Sequence, residues 1–218
     1  MSKEIKKLEV DQILNWFKSG EKQQSDWLIG TEHEKFLYNK SNFKRLKYND
    51  KFGIKGLLEQ IAIDKSWKPI MENDNIIGLK HLGGSSISLE PGGQFELSGA
   101  PLKNIHDTCK EAGNHLELMK DLSEKFNFII LGVGHDPKWP LSEISWMPKQ
   151  RYEIMKNYMP KVGRYGLDMM IRTCTIQVNL DYSNEADMVK KFQVSLALQS
   201  VATALFANSP FVEGKLTK

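Results

Sequence analysis

Apolar positions along this chain recur with two periods, and the periods divide it into helices and strands. Leu8, Ile13, Leu14 and Phe17 fall near one face of a helix over Leu8–Lys18, and Leu57, Leu58 and Ile61 repeat that spacing within Ile54–Asp64. A third helix is predicted over Asn104–Phe126, where Ile105, Cys109, Ala112, Leu116, Met119 and Phe126 share a stripe. Lys149–Tyr158 reads as a short helix closed by Pro160, and Glu185–Ala207 as another long one. Strands are predicted at Ile29–Tyr38, Trp67–Met71, Ile76–Leu82 and Phe128–Gly134, with extended chain over Ser86–Ser98 broken at Pro91-Gly92-Gly93. Glu72-Asn73-Asp74-Asn75 supplies a hairpin turn, His135–Pro148 is a Pro- and Trp-rich loop, and Met169–Tyr182 alternates most clearly as a strand. Long helices, hairpin signals and no regular βαβ spacing predict an α+β fold with a mainly antiparallel sheet.

Composition narrows the class. Hydrophobic residues make up 40% and charged residues 26% of 218, which suits a globular chain and excludes a disordered one. No apolar run approaches the ~20 residues of a membrane helix. The opening Met1-Ser2-Lys3-Glu4-Ile5-Lys6 lacks the apolar core of a secretory signal, so a cytoplasmic setting is expected. A net charge of +3, with bases interspersed among acids, gives no reason to expect nucleic acid. Cys109 and Cys174 have no CxxC spacing, and the five histidines offer no HExxH. There is no GxxxxGK[ST] and no GxGxxG; Gly83-Gly84-Ser85-Ser86 reads as a turn before a strand.

The informative residues are acids on strands. Glu32 and Glu34 are two apart, so a strand puts them on one face, roughly 6–7 Å apart. If Pro91-Gly92-Gly93 is a three-residue hairpin loop, Glu90 faces Gln94 and Ser88 faces Glu96. Ser88, Glu90, Gln94 and Glu96 then share one face, with Ile87, Leu89, Phe95 and Leu97 on the other. A two-residue loop would scramble the sides. Covered carboxylates at this spacing repel one another, and a hard cation such as Mg²⁺ with phosphate oxygens would relieve them. A solvated sheet face satisfies the same spacing, which leaves both readings open. Further along, Ile171, Thr173, Thr175, Gln177 and Asn179 share a strand face that could form a hydrogen-bonding floor. Arg172 heads the opposite, apolar face and must find an acid, a ligand or the sheet's end. Arg151 and Tyr152 open a helix, where an arginine can grip a carboxylate or phosphate with two bonds.

Five segments together resemble glutamate–cysteine ligase of the plant and proteobacterial type: Ile29 to Phe36, Ser88 to Leu102, Arg151 to Pro160, Gly166 to Leu180, and Ala207 to Phe211 with Glu213-Gly214-Lys215. The resemblance implies a glutamine synthetase-like fold, a curved antiparallel sheet with helices on its convex face. It implies ATP-dependent ligation of L-glutamate, through its γ-carboxylate and a γ-glutamyl phosphate, to the amine of L-cysteine, the first step of glutathione biosynthesis. It implies Mg²⁺ held by Glu32, Glu34, Glu90 and Glu96, catalytic Arg151 and Arg172, and substrate contacts from Tyr152, Thr173, Thr175 and Gln177. Members of that family run well beyond this length, so residues 1–218 are expected to form a single, incomplete catalytic domain, completed by a C-terminal half or by self-association. A truncated, non-catalytic nucleotide-binding remnant and a related ligase joining glutamate to another amine are the alternatives.

Overall fold

The computed structural model describes residues 7–217; the basic opening Met1–Lys6 lies outside the described residues. Among the described residues six α-helices are present: α1 (Val10–Lys18), α2 (Ile54–Ile61), α3 (Ile105–Phe126), α4 (Gln150–Val162), α5 (Gly166–Arg172) and α6 (Glu185–Phe206). Nine strands accompany them: β1 (Ile29–Asn39), β2 (Trp67–Glu72), β3 (Asn75–His81), β4 (Ser86–Leu89), β5 (Phe95–Ser98), β6 (Phe128–Leu131), β7 (Ile176–Leu180), β8 (Phe211–Val212) and β9 (Lys215–Leu216). The main sheet runs β2-β3-β4-β5-β1-β6, with β7 also paired to β1, and every pairing is antiparallel. The α+β class and antiparallel sheet therefore hold. β8 and β9 form a separate hairpin whose turn residues, Glu213 and Gly214, both have positive φ.

One face of the sheet supplies Leu37, Ile76, Leu79, Ile87, Leu89 and Phe95 to the core. Helix α2 adds Ile54, Leu57, Leu58 and Ile61, and α3 adds Met119, Leu122 and Phe126. Covering these side chains removes apolar area from water at about 25 cal/mol per Å², which holds both helices against the sheet. Helix α3 starts where the Asn104 side chain accepts the His106 and Asp107 N–H groups, each at 3.0 Å, and stops where Asn127 turns left-handed.

Two expectations fail locally. Met169–Arg172 is helical, and the strand begins only at Ile176. Leu and Met favour helix, and winding this stretch buries Met170 and Ile171 against Ile144 while bringing Arg172 to Asp168, one turn away. Helix α4 also runs past Pro160 to Val162. The proline sits in the last turn, where its missing N–H costs one bond without ending the helix.

The far end is open. No residue of α6 is buried, and Phe192 and Phe206 are 64% and 80% exposed. The side of β7 that continues the core face carries Ile176, Val178 and Leu180, all exposed. No described helix is long and apolar enough to cross a membrane.

Candidate functional site

The hairpin between β4 and β5 decides the geometry. Ser88 pairs with Glu96 and Leu89 with Phe95, while the Glu90 N–H reaches the Gln94 carbonyl at 3.0 Å. That is the three-residue loop. Gly93 there has φ +79°, and a Cβ on Gly92 would come within 2.5 Å of the Ile171 carbonyl oxygen. Ile87, Leu89, Phe95 and Leu97 accordingly enter the core, and Ser88, Glu90 and Glu96 take the opposite face. Strand β1 lies beside β5 with Glu34 directly across from Glu96 and Glu32 across from Ser98. Residues opposite one another in an antiparallel pair share a face, about 4.5–5.5 Å apart. The register therefore brings Glu32, Glu34, Glu90 and Glu96 onto one face.

Each of three acids is turned toward a neutral donor. Glu32 accepts the Asn179 amide at 2.9 Å. Glu34 accepts the Thr175 N–H at 2.9 Å and its hydroxyl at 3.2 Å. The buried Glu96 accepts Ser88 Oγ at 2.8 Å and Ser98 Oγ at 2.7 Å. No carboxylate of the four makes an ion pair among the described residues. Burial, then Glu96 and Glu34, push Glu90 up to about 7. Burial raises Glu34 as well, with Glu96 adding to it and the Thr175 N–H opposing it. As placed, no three acid, His or Cys side chains of the described residues close on a single ion. The donor set still fits a hard divalent cation: oxygen ligands only, mutually repelling, with no protein cation in contact.

The other predicted residues divide. Thr175, Gln177 and Asn179 stand on the acid-bearing face, Gln177 directly opposite Glu32. Thr173 does not join them; its hydroxyl closes α5 on the Met169 carbonyl at 2.6 Å. Tyr152 is 1% exposed, and its hydroxyl donates to the Leu89 carbonyl at 2.5 Å, so it anchors the strand leading to Glu90. Arg151 is exposed beside the acids, bonded through Nη2 to the Tyr152 hydroxyl at 3.2 Å. Arg172 is not on a strand. It is buried at the end of α5, and its Nη1 pairs with Asp168 at 3.1 Å and Glu213 at 3.0 Å, leaving Nε and Nη2 without a partner. It found acids, one turn and 41 residues away.

Several residues that support the site carry no sequence signal. Arg45 donates to the Gly92 carbonyl at 2.7 Å and to the fully buried Asp136 at 3.1 Å, and its guanidinium lies 4.3 Å from the Phe36 ring centre. Asp136 also accepts the Tyr38 hydroxyl at 3.0 Å. In sequence Arg45 sits in a lysine-rich stretch that resembles a solvated face. Gln94, which alternation had singled out beside the acids, is buried and completes the clamp, receiving the Gly92 N–H and donating to the Met170 and Thr173 carbonyls. Lys149 lies near Glu90 and donates to the Leu89 carbonyl at 2.7 Å.

Comparison with known proteins decides the lineage. The sequence profile of glutamate-cysteine ligase family 2 matches residues 28–218. The chain belongs to this family. It is 56% identical over 208 residues to the chloroplastic glutamate–cysteine ligase of Nicotiana tabacum, covering 95% of this chain and 39% of the relative. The Medicago truncatula ligase is 56% identical over 203 residues, with 93% and 39% covered. Chloroplastic glutamate–cysteine ligase B of Oryza sativa subsp. japonica is 54% identical over 208 residues, with 95% and 41% covered. The chain thus spans well under half the length of these curated ligases and corresponds to their N-terminal portion. Their names also overturn the expected cytoplasmic setting: these relatives are chloroplastic enzymes. A missing secretory core had no bearing on that, because plastid transit sequences are Arg- and Ser-rich rather than apolar.

Proposed function

We propose that this chain carries the metal- and phosphate-handling half of a ligase joining the γ-carboxylate of L-glutamate to the amine of L-cysteine at the expense of ATP, the first step of glutathione biosynthesis. The observation that carries the reading is the β1–β5 register, with Glu34 opposite Glu96 and Glu90 at the hairpin tip. Mg²⁺, when bound by Glu32, Glu34, Glu90 and Glu96, would neutralise the phosphate charge that phosphoryl transfer concentrates there. Arg151 would hold an anionic group of the substrate, with Thr175 and Gln177 along the same face for its polar groups. Arg172, with one edge of its guanidinium unpaired, would brace the β8–β9 turn beside them through Glu213. A glutamine synthetase-like architecture, with the acidic face concave, belongs to the same proposal.

The exposed apolar faces of β7 and α6 favour one incomplete catalytic domain over residues 1–218. We assign them to a polypeptide equivalent to the rest of the relatives' length. Without that cover the chain is the non-catalytic remnant.

The test is phosphate release from Mg-ATP and glutamate, with and without cysteine, by this chain alone and with the remaining portion of the tobacco relative added. Cysteine-dependent turnover supports the reading. Turnover with another amine and none with cysteine overturns the choice of substrate. Glu34→Gln and Glu96→Gln should each lower turnover roughly 100-fold or more; unchanged rates would remove the glutamates from the mechanism.

A further inference from the structure

A cavity of about 490 Å³ lies between α3 and strands β2, β3 and β5. It is on the core side of the sheet. Leu97 lines it, and alternation along β5 turns Leu97 away from the face that carries Glu96. Trp67 and His81, paired across β2 and β3, form one wall, with ring centres 4.7 Å apart. Glu111, His115 and Leu118, on successive turns of α3, form the other.

Two covered polar atoms of that second wall have no hydrogen-bond partner: Glu111 Oε2 and His115 Nε2. His115 is only 5% exposed. Glu111 is held in place, because its Oε1 accepts the Ala100 N–H at 2.9 Å and the missing side chain of Gly99 makes room for Oε2, which a Cβ there would approach to 2.5 Å. Leaving such atoms unpaired costs stability, which a bound molecule restores. A carboxylate oxygen takes only a donor, whereas a neutral imidazole can also give one. Burial, then the charges of Lys35 and His33, hold His115 down to about 3, so its ring is neutral. The charges around the cavity balance, Asp107 and Glu111 against Lys110 and the nearby Lys35. That balance favours an uncharged ligand over either ion, and the aromatic wall favours a flat one.

We propose that this cavity binds an uncharged, fused imidazole ring that offers its N–H to Glu111 and its second ring nitrogen to His115, with one face against Trp67. Free purine bases belong to this class. Nucleotides do not, because the sugar replaces the ring N–H. The site stands apart from the ligase reading, since the sheet separates it from the four glutamates.

The experiment is calorimetric titration of the chain with benzimidazole, 1-methylbenzimidazole and benzoate, with the Trp67 indole N–H followed by NMR and assigned by its loss in Trp67→Phe. Benzimidazole should bind and shift the Trp67 signal. The methyl analogue, which lacks the donor, and benzoate should bind at least about 10-fold more weakly, a typical loss for a hydrogen bond to a charged group. Glu111→Gln should narrow the gap between benzimidazole and its methyl analogue to under about 3-fold, because the charged acceptor is gone. Leu118→Trp fills the cavity and should abolish binding; Asn114→Trp takes its place if circular dichroism shows that Leu118→Trp does not fold. No binding of benzimidazole, which is the result if the cavity holds water alone, overturns the site. So does binding that leaves Trp67 unmoved, equal binding of the methyl analogue or of benzoate, a gap unchanged in Glu111→Gln, or full binding in the cavity-filled variant. Displacement of benzimidazole by Mg-ATP also overturns it, by placing the ring in a nucleotide site.

Discussion

Replacing Glu90 by Gln should stabilise the metal-free chain in mild alkali and leave it nearly unchanged in acid. The ordinary carboxyl value is 4.5, and in the fold Glu90 sits at about 7 through burial beside Glu96 and Glu34. Below the ordinary value both folded and unfolded chains carry the proton, and Gln imitates that neutral form. As pH rises from there to about 7 the unfolded chain has lost a proton that the folded chain keeps, so unfolding becomes easier by about 1.36 kcal/mol per pH unit. Above about 7 both are ionised and the penalty is complete. Across that window it reaches about 3 kcal/mol, reduced to about 1–3 kcal/mol because Glu90 is partly open to water. Urea unfolding with chelator present, at about pH 5 and about pH 8, measures it as the difference between wild type and Glu90→Gln. A difference that is the same at both pH values refutes the reasoning. Divalent cation added at the higher pH should recover wild-type stability by mass action and act less on the variant.

The hairpin tip and its clamp give two further predictions. Arg45→Met leaves Asp136 charged, buried and without its cation, so urea unfolding should show a loss of about 3–5 kcal/mol; a loss below about 1 kcal/mol would mean that the ion pair does not hold the tip. Gly92→Ala places a methyl within 2.5 Å of the Ile171 carbonyl and 2.9 Å of Gln94 Oε1. It should cost about 1–3 kcal/mol and weaken divalent-cation binding through Glu90, and unaltered binding by calorimetry would separate the tip from the metal site.

What the sequence determined is sidedness. Alternation within β1 and across Pro91-Gly92-Gly93 put four glutamates on one side of their strands, because a strand's side-chain period is two whatever it pairs with. It marked the core just as directly, since Ile87, Leu89, Phe95 and Leu97 had to enter it together. Tertiary structure decided adjacency. That Glu34 meets Glu96, and that Asn179 and Thr175 reach Glu32 and Glu34, depends on which strands pair and in what register, which periodicity does not encode. The same holds for Arg45 finding Asp136, 91 residues away. Gly166–Arg172 shows the limit from the other direction. Its apolar run fits either period, and burial of Met170 and Ile171, with the Asp168–Arg172 pair, selected the helix.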